Sequence, residues 1–176
     1  GFWFLTEFVQ YQFRLLTTED AGHGGPFYYH FIVLLIGCFP ASVLIFRAFK
    51  GHKNEHIFQT TFHTWMIILL CVVVGVFSIV QTKIVHYSSL AYFPITFLAA
   101  FYADNLRKKT DQWAWYNTLA FFVIGGAIAI AIAAVPILGR NIEVLYPYIQ
   151  DEFAKANMNA NVHWTGVESV IGIVYL

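Results

Sequence analysis

The sequence predicts an all-α fold, a polytopic transmembrane helix bundle with four complete spans, the truncated start of a fifth, and an outer interfacial helix and loop ahead of them. Three observations lead there. Of the 176 residues, 59% are hydrophobic and only 11% are charged, with a mean hydropathy of +0.62. A soluble domain carries about 25% charge, and so sparse a supply could not cover a water-facing surface. Second, apolar runs close to the roughly 20 residues needed to cross a bilayer core recur along the chain. Third, aromatic residues make up 19%, including 18 Phe and 10 Tyr, which suits lipid-embedded helices with ring-rich interfaces.

Residues 1–18 place Phe4, Phe8, Tyr11 and Leu15 at helical spacing, widened by Trp3, Phe13 and Leu16. This is an amphipathic helix suited to lie in the interface, and it delivers Arg14 and the next loop to the membrane surface. The complete spans are 27–46, 64–80, 84–103 and 118–138, and 164–176 begins a fifth that carries Glu168. Backbone groups in lipid must be satisfied within the segment, and none of these runs alternates as a barrel strand does, so all are helices. Pro40 and Pro94 predict kinks in the first and third spans, and Pro136 marks the end of the fourth. Gly125, Ala129 and Ala133 share a face of the fourth and invite close packing. Residues 139–163 read as a loop with a short helix. The resulting division is 1–26, 27–138, 139–163 and 164–176. Because the chain starts with Gly and stops inside an apolar run, it reads as a piece of a longer protein.

Lys and Arg set the orientation. Arg47, Lys50 and Lys53 follow the first span, and Arg107, Lys108 and Lys109 follow the third. By the positive-inside rule these two loops are cytoplasmic, and the segment before the first span, the turn at Lys83 and residues 139–163 face outward. Net charge is zero, which leaves no basic footprint for nucleic acid. Cys38 and Cys71 lie in apolar runs and read as small hydrophobes, with no disulfide or zinc motif.

Three clusters carry polar chemistry. In "TTEDAGHGGPFYYHF", Gly22, Gly24 and Gly25 free the backbone around His23, and Pro26 starts the helix. A neutral His there can bind metal or phosphate, with Arg14 as a phosphate partner; ordinary turn chemistry explains the same residues. In "FSIVQTKIVHYSSLAYFP", a tight turn sets Gln81, Thr82, Lys83, His86 and Tyr87 at the outer surface. Lys83 and Tyr87, four apart, share a face if a helix begins near Lys83 and could clamp a lipid phosphate; interfacial anchoring by a snorkelling Lys and a Tyr belt is the plainer account. The third cluster, His52 and His56 in "HKNEH", reads as a solvated loop, since a lone H-x3-H pair is a weak metal motif. His30 and His163 read as packing or interface residues.

Taken together, "YQFRLLTTEDAGHGGPFYYHFIVLLIGCFPAS" and "FSIVQTKIVHYSSLAYFPITFLAA" resemble the GT-C class of membrane glycosyltransferases, in the branch of protein mannosyltransferase-like enzymes and lipid A aminoarabinose transferases. That pattern is an arginine-bearing outer helix, a loop ending in H-x-x-P-aromatic-aromatic, a helix with a Phe-Pro step, and later an FS…K-x-x-x-Y…P segment. The resemblance implies an integral protein of the bacterial inner membrane, active on its extracytoplasmic face. It would take a polyprenyl-phosphate sugar as donor and a protein or lipid as acceptor. Carried over by motif, Arg14 and Lys83 hold phosphate, His23 contacts phosphate or a divalent metal, and Tyr87 lines the cavity. The family's K-L-P-x-Y is here Lys83, Ile84, Val85, His86, Tyr87, which adds His86 as a polar contact. The family's catalytic acid belongs to an early outer loop that this chain does not contain, so no catalytic residue is assigned. A transporter or flippase for a lipid-linked substrate is the rival reading, and it calls for internal repeats or helices broken at the midplane.

Overall fold

The computed structural model describes residues 2–18, 24–49, 57–149, 151–160 and 162–175, with the backbone alone for Leu15. His23, Glu19, Asp20, His52 and His56 lie outside the described residues. Among those described, every regular element is helical, in accord with the expected class. The chain forms two compact units, Gly1–Asn117 and Thr118–Leu176.

The first unit opens with α1 (Trp3–Thr17), as expected. Its described side chains are all exposed, and the Phe4 and Phe8 rings stack along one side at 6.5 Å. The stretch 27–46 departs from the predicted single kinked span. It forms α2 (Tyr29–Gly37) and α3 (Ala41–Ala48), which meet at 110°. Pro40 has no amide to continue the α2 ladder, so the helix stops and restarts. The Ser42 hydroxyl donates to the Leu35 carbonyl at 2.6 Å, which satisfies a group that the break would leave bare in apolar surroundings. Past the bend the neighbour changes: α2 packs on α4 (Ile57–Ile79), while α3 packs along α5 (Tyr92–Arg107).

Helix α4 starts well before the expected residue 64. At 1.5 Å per residue it is about 34 Å long, enough for a hydrocarbon core of about 30 Å. Met66, Leu70, Val73 and Val74 form its buried stripe and meet Ile95, Leu98 and Tyr102 of α5. The predicted third span is also not one helix. A 3₁₀ segment, Val85–Ala91, precedes α5, because the extended Ile84 ends the turn and short i→i+3 bonds such as Tyr87 N–H to Ile84 C=O take over. Pro94 falls in the first turn of α5, where no amide partner is missed. Helix α6 (Trp115–Arg140) runs through Pro136 and ends four residues later, which corrects its assignment as a terminator. A membrane helix keeps its ladder wherever it can, since nothing else would satisfy the backbone.

Two helices, α4 and α6, are long and apolar enough to cross a membrane, with mean hydropathies of 2.3 and 2.6, and the bent α2–α3 pair makes a third if counted as one span. Among the described residues two or three of the four expected complete spans are thus found. The protein is an integral membrane protein.

The end of the first unit near the α3 C-terminus is held by polar pairs. Arg47 grips Asp111 with Nη2 to Oδ1 at 2.8 Å and Nε to both carboxylate oxygens. His63 Nε2 lies 2.6 Å from the Ala48 carbonyl. Asn117 donates to the Tyr102 hydroxyl, which donates to the Gln112 carbonyl.

In the second unit, Asp151 caps α7 (Glu152–Met158), the short helix expected within 139–163, by accepting from the Phe153 amide at 2.8 Å. Helix α8 (Val170–Tyr175) follows a 3₁₀ turn at Val167–Ser169. Gly172 of α8 sits on the small-residue face of α6: a methyl there would lie 2.6 Å from the Ala133 amide nitrogen and 2.8 Å from its Cβ. Ser169 Oγ donates to the Ala133 carbonyl at 2.8 Å. The predicted face is therefore used at Ala129 and Ala133.

Gly172→Val should push α8 off α6 and expose it to limited proteolysis, while Gly126→Ala, where a methyl meets nothing within 4 Å, should change nothing. Asp111→Asn should lower the thermal midpoint in detergent by several degrees by leaving Arg47 uncompensated. Asp104→Asn, which breaks exposed pairs with Arg107 and Lys108, should leave it unchanged.

Candidate functional site

The two polar stretches meet at the C-terminal end of α4. Helix α4 stops at Ile79 and leaves its last carbonyls without intrahelical donors. Lys83 turns back and supplies them: Nζ donates to the Ser78 carbonyl at 2.7 Å and to the Phe77 carbonyl at 3.1 Å. A cation on a helix C-terminus also meets the negative end of the helix dipole. Lys83 is 5% exposed, so it does not snorkel outward as the plainer account supposed. Burial holds its ammonium below the usual lysine range.

This capped turn is where the chain's beginning attaches. The Gln81 amide donates to the Leu16 carbonyl at 3.2 Å, and the Thr82 hydroxyl donates to the Thr18 carbonyl at 2.9 Å. Beyond the segment that holds His23, Gly25 rests on Lys83, where a Cβ would come within 3.1 Å of the Lys83 Cγ. Thr18 and Gly25, either side of His23 in sequence, therefore both touch the 81–83 turn.

The other predicted residues fall around this point. Tyr87 is half-buried, with its ring 5.4 Å from Phe77 and 5.1 Å from His86. Lys83 and Tyr87 thus come together through Phe77, although Lys83 is not in the helix that Tyr87 occupies. His86 is exposed. Arg14 lies on α1 one turn before Thr18, exposed, with its guanidinium 5.4 Å from the Tyr11 ring centre. His23, the proposed metal contact, is outside the described residues. Among the described residues no three His, Cys, Asp or Glu side chains gather to hold a metal, so no step is assigned to one.

Sequence reasoning gave two residues of this end no part in the site. His30 is fully buried on α2, with its ring 6.0 Å from Phe77 and 5.1 Å from Tyr29. Ser78 is buried on α4 beside the Lys83 ammonium. The available signal was the Ser of the FS…K pattern, which the motif contains without giving it a task.

Comparison with known proteins bears out the resemblance drawn from the two motifs: the chain is similar to sugar transferases named for a polyprenyl-phosphate-linked sugar. The relatives are, specifically, undecaprenyl phosphate-alpha-4-amino-4-deoxy-L-arabinose arabinosyl transferases. The protein of that name from Wigglesworthia glossinidia brevipalpis is 30% identical over 120 residues, which is 65% of this chain and 20% of the relative. That of Pectobacterium atrosepticum is 28% identical over 134 residues, 74% of this chain and 23% of the relative. That of Pectobacterium carotovorum is 27% identical over 120 residues, 66% of this chain and 21% of the relative. The chain spans about a fifth of the length of the curated relatives it matches. No family model matches, and no solved structure matches.

Thr82→Val should free the 16–18 segment from the turn. A lost neutral hydrogen bond of about 1 kcal/mol predicts roughly fivefold faster amide exchange at residues 16–18 and 81–83, with exchange in the middle of α4 unchanged.

Proposed function

We propose that this chain is part of an integral-membrane glycosyltransferase that moves a sugar from a polyprenyl-phosphate donor to a protein or lipid acceptor on the extracytoplasmic face of a bacterial inner membrane. The observation that carries this reading is the meeting of the two motif stretches: Thr18 and Gly25 both close on the 81–83 turn. The names of the curated relatives support the donor class.

In this reading the chain's own groups hold the donor's phosphate as it becomes the leaving group. Lys83 would donate its remaining N–H to a phosphate oxygen, Arg14 would offer a two-pronged guanidinium, Tyr87 would line the wall, and His23 and His86 would supply further polar contacts. Negative charge grows on the phosphate as the sugar departs, and cations already in place lower that barrier. They act most strongly where water is scarce, as around a Lys with 5% exposure. A divalent metal at His23 remains part of the proposal, with no step drawn through it. The acid or base that activates the acceptor is sought outside these residues.

A lipid-linked substrate transporter is favoured by one observation, the 110° break between α2 and α3, since transporters build sites at broken helices. The cavity beside that break, about 330 Å³, is lined by Phe31, Leu34, Ile45, Phe46, Leu70 and Val74, and the Ser42 hydroxyl there is already bonded to Leu35. Beside that hydroxyl its lining offers a polar substrate only the weak Cys71 thiol, so the transferase reading stands ahead.

In the full-length protein, Lys83→Ala and His23→Ala should each reduce sugar transfer from undecaprenyl-phosphate-linked sugar about 100-fold or more, the scale of losing one electrostatic contact to the transition state. Transfer at the parental rate in both variants would remove this site. Movement of the donor across proteoliposomes without any transfer would favour the transporter.

A further inference from the structure

Buried polar atoms in folded proteins almost always have hydrogen-bond partners. Around the last turn of α4, two side chains break that rule. His30 is 0% exposed and neither ring nitrogen has a hydrogen-bond partner among the described residues. Ser78 is 6% exposed and its hydroxyl has none among them either. A third group is incompletely used, because the Lys83 ammonium has three hydrogens and the Phe77 and Ser78 carbonyls take two.

The three belong to one neighbourhood. The His30 ring lies against Phe77, whose carbonyl holds Lys83, and Ser78 is the next residue, whose carbonyl holds it more closely. Lys83 forms no ion pair among the described residues. A neutral imidazole offers one N–H, a serine one O–H and the ammonium its remaining N–H. That set is three donors with one positive charge. Its complement is an oxygen that only accepts and is negatively charged, as on a phosphate, and charge-assisted bonds of this kind are the strong ones. The backbone of Gly25, without a side chain, is what lies over the Lys83 stem. An anion on Lys83 would also offset the burial that now disfavours its charge.

We propose that His30, Ser78 and Lys83 form a buried seat for one phosphate oxygen of a polyprenyl-phosphate lipid. This rests on the transferase reading above and extends its site inward by two residues that the motif pattern does not assign.

The test uses the full-length protein in detergent, titrated with undecaprenyl phosphate, with undecaprenol, and with inorganic phosphate, with binding followed by ³¹P NMR and by intrinsic fluorescence. His30→Phe and Ser78→Ala should each raise the Kd for undecaprenyl phosphate roughly tenfold. Undecaprenol binding should be unchanged. The thermal midpoint should hold or rise, because the bare buried polar atoms are gone, so a loss of affinity cannot be blamed on misfolding. His30→Gln, which retains a donor, should recover part of the affinity. If the parent transfers sugar and both variants bind undecaprenyl phosphate as tightly as the parent, the seat is overturned and the transferase reading survives. If the variants lose inorganic phosphate alone, the seat serves free phosphate and the lipid assignment is wrong. A parent that neither binds undecaprenyl phosphate nor transfers sugar overturns both.

Discussion

A helix that ends in apolar surroundings must find donors for its last carbonyls, and at the end of α4 the Lys83 ammonium supplies them. Water does this for a helix in a soluble protein, but here it is excluded, so the task falls to a charged side chain a few residues along the chain. To reach back, Lys83 has to hold the 80–84 turn tight against the helix end. That turn then becomes the fixed point for everything nearby: the α1 C-terminus bonds to it, Gly25 lies on it, and Tyr87 leans on the same Phe77. The two motif stretches are thus joined by a helix cap, and the residue that makes the cap is the one proposed to meet a phosphate.

The membrane class was fully legible, because composition and run length answer to the same solvent. The limits of the elements were less so, and the three prolines show why. Each removes one amide, but the effect on the chain depends on where the proline falls in the ladder. Pro40 interrupts a run whose carbonyl Ser42 can rescue, so the chain breaks there and turns. Pro94 falls in a first turn and costs nothing, and Pro136 sits in a helix that continues to Arg140. An apolar run alone does not tell the three settings apart. The site was legible in part. Order and spacing singled out Lys83 and Tyr87, which share Phe77 as a neighbour, but reading Lys83 as a surface residue missed its burial, which comes from the position of the α4 terminus. His30 was passed over because one histidine in an apolar run has no periodicity to mark it. Arg47 was read only as a sign of sidedness, whereas its geometry is set by Asp111, a residue 64 positions away.

The two ends of the first unit treat polarity differently. Near the α3 C-terminus, Arg47, Asp111, His63 and Tyr102 are all engaged, and Asn105 and Asn117 each leave one amide atom bare while the other atom is bonded. Near Lys83, His30 and the Ser78 hydroxyl have no hydrogen-bond partner among the described residues. Proteins relax the rules of folding where function asks for it, and the proposed phosphate seat lies at the end where that relaxation is found.

The bend between α2 and α3 has a mechanical meaning. A continuous helix is a rod, and a push on one end is felt at the other. Here the hydrogen-bond ladder stops at the bend, α2 is seated on α4 and α3 on α5. Each half is therefore anchored to its own partner, α3 through the buried Val43 and Ala48 and through Arg47, and the loss of an amide at one proline gives a single apolar run two separate attachments.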